Sequence, residues 1–475
     1  MAIRENLFGR TVIYSPEEEI TRDNLLDVLD LATGIHEDNQ ADIQYLYDYY
    51  RGKQPVLERE KTVRPEIQNN IVENRANEIV SFKVGYLMGE PIQYVNRGNN
   101  EYSDELNTLN EFMFSEEKAA KDKELADWFH ICGTSYRMVL PNEKYVDGEY
   151  EAPFVIHTLD PRSAFVVYHS GIGHKPLMGV NVIETIEGDT LYAGYTESHY
   201  FEVVDDTITE WRSHNLKAIP IIEYPANLAR LGAFEIVLPL LDAINTTESN
   251  RVDGLEQFIQ SLLVFKGVDI NDETFSELKD KGAIKVPIDG DVYFIGQQVS
   301  QTETQTLVND MYQSVLTICG MPNRNGGYST SDTGRAVIYR DGWSAAESKA
   351  KDSELTFKKS EKEFLKLAIW ICNEKAVMDL KVGTIEIRFT RRNYENIVEK
   401  ANVLNMMLNN DKIAPELAFE YCGMFVDPAN AYLKSLKAYE DSQNEMAEEL
   451  NSINTDLANQ EKSTLTEQEE VIEDV

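Results

Sequence analysis

The sequence predicts an α+β fold divided among several domains. Three observations carry this. Residues 136–224 hold short β-branched and aromatic runs separated by turn signals. Both flanks instead carry apolar residues at helical spacing. The chain has 475 residues; at ~100–200 residues per domain this allows two to four domains with ample material for a buried core. Hydrophobic residues make up 42% and charged residues 27%, the balance of a globular chain rather than a disordered one.

Taken in order, Ser15-Pro16-Glu17-Glu18-Glu19 reads as a helix start, with serine as cap, proline at the first helical position and acids in the first turn. Two helices are expected from there, broken near Gly34 and stopped at Gly52. Val72, Ala76, Val80, Val84 and Met88 recur every four residues and predict a helix over 70–88. A further helix is expected over 106–131, ending at Gly133. Strands follow at 154–159, 165–168, 178–186, 190–196, 200–204, 207–211 and 219–224, in a mostly antiparallel region with turns at Glu187-Gly188-Asp189 and Val204-Asp205-Asp206.

Helix is expected again over 235–260. Ile236, Leu240, Ile244, Leu255 and Ile259 mark one face; Asp242, Asn245, Glu248, Arg251 and Glu256 mark the other. A small segment over 264–299 carries a short acidic helix and two strand-like pieces around the hairpin-type turn Asp289-Gly290-Asp291. Helix resumes over 303–319 and stops at Gly320-Met321-Pro322. Residues 323–334 form a polar, glycine-containing loop. Strong helix formers without proline over 335–373 predict one helix of roughly 55–60 Å, with a kink near Gly342. A strand over 384–390 and helices over 393–409, 415–423 and 428–450 complete the pattern. Residues 440–475 hold 12 acids, one lysine and no aromatic, which favours an acidic disordered tail over 451–475.

Composition excludes several functions. Lys+Arg is 45 against Asp+Glu 82, a net charge of −37, so a nucleic-acid-coating protein is disfavoured. No apolar run approaches the ~20 residues of a membrane span, and no signal-peptide core follows the N-terminus. Cys132, Cys319, Cys372 and Cys422 are far apart in sequence and read as reduced core cysteines. The seven histidines form no zinc pattern. No Walker A loop and no Gly-x-Ser-x-Gly occurs. Gly171-Ile172-Gly173 lies between strand-like runs and reads as a turn, not a dinucleotide loop. Asp269, Asn271, Asp272 and Glu273 lack the glycine of an EF-hand loop. The sequon Asn245-Thr246-Thr247 lies in a predicted helix and carries no weight. No catalytic residue, cofactor or metal is therefore expected.

Five stretches carry a family resemblance. They are Asn69-Asn70-Ile71-Val72-Glu73-Asn74-Arg75-Ala76 through Lys83-Val84-Gly85-Tyr86-Leu87-Met88-Gly89-Glu90-Pro91-Ile92; Gly133-Thr134-Ser135-Tyr136; Leu159-Asp160-Pro161-Arg162 before Phe165; Ile219-Pro220-Ile221-Ile222-Glu223-Tyr224 with Gly232-Ala233-Phe234-Glu235 and the Leu241–Ser249 helix; and Ile318-Cys319-Gly320-Met321-Pro322. In this order they resemble portal proteins of long-tailed double-stranded DNA bacteriophages, the type found in phages of Gram-positive bacteria. One departure is the stretch 323–333 after Pro322, where related portals often start a helix directly. Thr333-Gly334-Arg335-Ala336-Val337 is the nearest match to that start.

The resemblance implies an α/β wing (1–234), a stem helix (235–263), a small α/β clip (264–300), a second stem helix (301–321), a tunnel loop (322–334), a long helix and strand completing the wing (335–392) and a helical crown (393–450). It implies a ring of about twelve subunits at one capsid vertex of the virion, assembled in the host cytoplasm. Double-stranded DNA would pass through the channel during packaging and ejection. The terminase large subunit and then head-completion or tail-adaptor proteins would dock at the clip. Scaffold and major capsid proteins would meet the ring as it nucleates the procapsid.

Candidate residues follow from these parts. Arg324, Asn325, Arg335 and Arg340 are candidate DNA contacts at the tunnel loop; ordinary ion pairs for Arg335 and Arg340 explain the same residues. Asp242, Asn245, Glu248 and Arg251 are candidate stem-lumen residues; a helical hairpin in a monomer gives the same pattern. Asp269, Asn271, Asp272, Asp289 and Asp291 are candidate clip contacts to terminase or adaptor. A net-acidic channel suits a conduit, because each Lys or Arg on a phosphate adds an attachment that transport must break. Tyr45, Tyr47, Tyr49 and Tyr50 read as core or subunit interface. The competing readings are a packaging enzyme, against which the missing Walker loop speaks, and an acidic minor head or interaction protein without a channel.

Overall fold

The computed structural model describes residues 9–62, 64–97, 103–146, 151–186, 188–259, 262–266, 288–295, 301–323, 342–391, 397–425 and 428–473. In chain order the elements are β1 (Ile13–Ser15), α1 (Leu25–Tyr50), α2 (Arg75–Leu87), β2 (Gln93–Asn96), α3 (Ser103–Ser115), α4 (Lys118–Cys132), β3 (Thr134–Pro141), β4 (Phe154–Leu159), β5 (Ala164–His169), β6 (Pro176–Glu184), β7 (Thr190–Tyr195), β8 (His199–Val204), β9 (Thr207–Ser213) and β10 (Ile221–Pro225). Then come α5 (Leu238–Ile259), β11 (Leu262–Lys266), β12 (Asp291–Ile295), α6 (Gln301–Cys319), α7 (Trp343–Glu374), β13 (Ile385–Arg388), α8 (Ile397–Leu408), α9 (Pro415–Tyr421) and α10 (Pro428–Glu473). The fold is α+β, as the sequence predicts.

The chain forms two compact units, Met1–Pro91 with Thr108–Val382, and Ile92–Asn107 with Gly383–Val475. In the first, a six-stranded sheet runs β1-β5-β6-β7-β8-β9 and a three-stranded sheet runs β10-β3-β4. All these pairings are antiparallel except β1 with β5. The β7–β8 and β8–β9 connections are tight; Asp205 and Asp206 turn the latter with φ of 47° and 56°, left-handed values that Asp tolerates. The first half of α1 lays Leu25, Val28, Leu29 and Ala32 on Phe165, Val167, Met178 and Phe201 of the larger sheet. Its second half, with Ile43, Leu46 and Tyr49, joins a core shared with α2, α4, α5 and α6. The tyrosine group is thus partly core: Tyr45 and Tyr49 are buried, and Tyr47 and Tyr50 pack at the edge.

Helix α7 crosses the three-stranded sheet. Phe357 meets Tyr224 and Phe129 at ring distances of 4.8 and 5.7 Å, and Phe364 meets Phe154 edge-on at 6.5 Å. Beneath it lies a dry charge cluster. Arg137 on β3 pairs with Asp122 of α4 and with Glu361 of α7 (3.1 Å), Lys118 pairs with Asp122 (2.7 Å) and Glu361 (2.8 Å), and the Tyr224 hydroxyl donates to Glu361 (2.8 Å). Two cations balance two anions, so every buried charge has an opposite neighbour.

Several elements differ from the sequence reading. Ser15 ends β1, and its hydroxyl accepts from the Glu17 amide, so the expected helix start is a strand end; α1 begins at Leu25. Gly34 does not break α1. A helical glycine costs ~1 kcal/mol, which burial on both sides of it outweighs. The expected helix over 106–131 is two helices, α3 and α4, because Glu117 turns left-handed (φ 51°) while Glu116 accepts from the Ile156 amide. Helix α2 starts at Arg75 rather than 70, for a reason given below. The expected tail past Leu450 is helical backbone to Glu473; no proline or glycine lies between Ala429 and Glu473 to stop it.

In the second unit β2 and β13 pair antiparallel, with Tyr94, Val95, Ile385 and Ile387 buried. Residues 92–107 and the strand over 385–388, assigned to the wing from sequence, therefore belong with the C-terminal helices. Among those helices Phe419 stacks on Phe425 at 5.0 Å and meets Tyr432 at 5.8 Å. All four cysteines are buried and free, and burial pushes Cys132 and Cys372 up to about 12 and Cys319 to about 11.

Candidate channel stem

Helices α5 and α6 match the two helices that the sequence predicts over 235–260 and 303–319. Helix α5 is fixed by a polar ladder. Asn245, Ser249 and Asp253 lie one turn apart on one face, and each accepts a main-chain N–H from every second residue of an extended segment: Glu73 to Asn245 Oδ1 at 2.8 Å, Ile71 to Ser249 Oγ at 3.0 Å, Asn69 to Asp253 Oδ1 at 2.7 Å. The match is metric. Four helical residues rise ~6 Å and two extended residues ~6.6 Å, so the two periods stay in step over three rungs. Side chains of a helix here do what a neighbouring strand does in a sheet.

The ladder continues at both ends. The Tyr49 hydroxyl donates to Asp242 at 2.9 Å, and Asn245 Nδ2 donates to Gln54. Asp253 Oδ2 accepts from Arg59 and Lys61, both at 3.1 Å, and Asn69 Nδ2 donates to Asp253 and Glu256, both at 3.0 Å. Burial acts to raise the Asp253 carboxyl, but the Asn69 amide and Lys61 outweigh it and hold the group below its ordinary pKa. Burial raises Asp242, and its single bond from Tyr49 offsets that only in part. This ladder explains the late start of α2. The amides of 69, 71 and 73 already have acceptors, and Asn74 then caps α2 by accepting from the Asn77 amide.

Helix α6 is braced at three points. Arg251 of α5 donates to Gln301 and Gln305 at 2.6 and 2.7 Å, and pairs with Glu248 at 3.4 Å. Arg75 of α2 stacks over Tyr312 at 4.1 Å, and the Tyr312 hydroxyl donates to Glu78 at 2.9 Å. At the C-terminal end Lys83 donates to the Cys319 carbonyl at 2.8 Å, a cation on the negative end of the helix dipole. Gly320 follows with φ 65°, closing the helix.

The remaining surface of α6 is largely hydroxylated, with Leu307 and Ile318 exposed along its edge. Thr306, Ser314 and Thr317 each donate to the carbonyl four residues back, at 2.9, 3.0 and 2.9 Å. Thr302, Glu303, Thr306, Asp310, Ser314 and Thr317 are exposed, and α6 contains no lysine or arginine.

The four expected lumen residues all make contacts within the subunit. Asn245 is 0% exposed, and Asp242, half-buried, accepts from Tyr49; both bind their own chain. Arg251 bridges to α6 while Glu248 pairs with Arg251 on its own helix, and both are half-buried. A polar helix face usually meets water, but here it meets main-chain amides. The sequence reading missed Ser249, Asp253, Arg59, Lys61 and Asn69 as a unit. Its signal was the four-residue recurrence of short polar acceptors at 245, 249 and 253. Asp289 and Asp291 are exposed beside the antiparallel β11–β12 pair, where Lys266 stands opposite Asp291. Arg324, Asn325, Arg335, Arg340, Asp269, Asn271 and Asp272 lie outside the described residues. Among the described residues no group of His, Cys, Asp and Glu could hold a metal ion, and no helix is long and apolar enough to cross a membrane.

The sequence matches the family described as phage portal protein, SPP1 Gp6-like, over residues 31–456. The chain belongs to that family of phage portal proteins. The family is a structural one, and the match takes in the ladder segment, helices α5 and α6 and most of the C-terminal helices. No curated protein matches this portal protein. Solved structures similar to it include a chain from the neck of a native GTA particle computed with C12 symmetry, at 12% identity and TM-score 0.43, covering 74% of this chain and 89% of that one. A chain from the neck of an empty GTA particle computed with C6 symmetry matches at 11% identity and TM-score 0.42, covering 74% and 90%. Both likenesses are remote, and the assignment rests on the sequence match.

Proposed function

We propose that the portal protein assembles into a homo-oligomeric ring at a capsid vertex and that the hydroxylated face of α6 lines its DNA channel. The observation that carries this is the distribution of polar groups on the stem. The α5 acceptors are consumed inside the subunit, whereas α6 presents a surface of back-bonded hydroxyls with Glu303 and Asp310 and no cation. Such a face offers phosphates no fixed counter-charge, so DNA slides without accumulating the attachments that Lys and Arg create. The braces at Arg251, Arg75 and Lys83 keep the strut rigid under a moving load.

In this reading the ring conducts double-stranded DNA during packaging and ejection and nucleates procapsid assembly with scaffold and major capsid proteins. Asp289 and Asp291 beside the β11–β12 pair are offered to the terminase large subunit and later to a head-completion adaptor. The test is imaging of the purified full-length chain together with a channel substitution, Thr306→Lys with Asp310→Lys. Rings with an axial hole, and DNA transport slowed by the substitution, support the reading. A compact dimer persisting at high concentration favours an acidic interaction protein instead.

A further inference from the structure

Helix α10 carries an apolar seam that nothing described in its own unit covers. Leu436, Tyr439, Met446 and Leu450 fall on one face at intervals of three, seven and four residues. Tyr439, Met446 and Leu450 are 64%, 55% and 56% exposed. The sequence continues at Ile453 and Leu457, and with Gln443 standing in the seven-residue gap the steps average 3.5 residues, the period of a seam made to pack against another helix. A helix that buried nothing along this face would have no reason to keep six large apolar residues in register among polar ones.

Charge selects the partner. From Ala438 to Glu461 the chain holds seven acids and no lysine or arginine. Glu440 flanks the seam, and Asp441, Glu445 and Glu448 cover the opposite side, all exposed. Pairing with a second copy would bring two such stretches within the ~8 Å over which salt fails to screen them. DNA phosphates are repelled for the same reason. We propose that the α10 seam is a docking site for a cationic amphipathic helix of another polypeptide, one with apolar residues at heptad spacing flanked by Lys and Arg. Burial of the seam supplies affinity, and the acids supply steering and orientation.

The probe is a three-heptad helical peptide with Leu along its seam and Lys and Arg beside it, titrated by fluorescence anisotropy against the full-length protein at physiological salt. The comparison chain is Met446→Gln with Leu450→Gln. These exposed positions keep the net charge and the helix propensity, so the helix itself is retained. The expected result is saturable binding that weakens about tenfold or more in the variant, and equally when Gln replaces Leu in the peptide. Absence of binding to the wild-type chain overturns the proposal. So does equal binding by the variant, which would make the attraction purely ionic. Loss of the wild-type oligomer by the variant in mass photometry also overturns it, because the seam would then be covered by a second copy.

Discussion

Replacing Asp253 by alanine tests the polar ladder at its most loaded rung. The carboxylate accepts from four donors: the Asn69 amide, the Asn69 side chain, Arg59 and Lys61. Arg59 and Lys61 side chains are each 17% exposed and rehydrate in part when released, so their loss contributes only about 0–1 kcal/mol. The main-chain amide is the larger loss, since a hydrogen bond to a charged acceptor is worth about 1.5–3 kcal/mol. The expected cost is therefore about 2–4 kcal/mol. It is concentrated where α5 meets the 69–73 segment rather than spread over the fold. Hydrogen exchange read by mass spectrometry should show faster exchange in peptides covering 64–74 and 242–256, with the six-stranded sheet unchanged. Ser249→Ala, which removes one neutral acceptor, should do the same by about 1 kcal/mol. Asp310→Ala on the open side of α6 is the control. If Asp253→Ala protects these peptides as well as Asp310→Ala does, the ladder is not what holds the stem.

The sign of the pH response follows from the same carboxylate. Asp253 is held below its ordinary pKa, so its stabilisation is complete above the unfolded value and is lost as pH falls through the depressed folded value; Asp253→Ala should flatten the acid limb of a stability–pH profile. Asp242 is raised by burial, so its ionised form weakens the fold at neutral pH and is relieved on acidification. Asp242→Asn keeps an acceptor for Tyr49 and should leave the melting temperature at neutral pH unchanged or higher. Glu361→Ala strands Arg137 and Lys118 on Asp122 alone in a dry site, and should cost about 3–5 kcal/mol in denaturant unfolding. Thr306→Lys with Asp310→Lys should give the assembled protein salt-dependent DNA retention, with each new phosphate contact steepening log K against log salt by about one unit.

The strands over 154–225 were legible because their chemistry is local, whereas Ile13–Ser15 and Gln93–Asn96 are strands only through the distant partners they pair with. Asp205-Asp206 and the alternation of Tyr192, Gly194, Phe201 and Val203 specify turn and pleat without reference to distant parts. Helices α5 and α6 were legible too, from the stop at Gly320-Met321-Pro322 and the amphipathic repeats. What sequence could not show is which partner a polar face meets. Val72, Ala76 and Val80 give residues 70–75 a helical period, yet the amides of 69, 71 and 73 are claimed by acceptors more than 170 residues away in the chain. For the same reason Asn245 and Asp242 read as solvent-facing when they are tied inside the subunit. The continuity of α1 through Gly34 is likewise a tertiary effect, decided by cores on either side of a residue that alone favours a break.

Imaging the purified full-length protein with symmetry-free reconstruction decides which helix lines the channel. The expected result is a closed ring with an axial channel, α6 innermost with Thr306 and Asp310 toward the axis, and α5 behind it on the 69–73 segment. A ring whose inner wall is α5, or one lined by a continuous basic stripe, would contradict it.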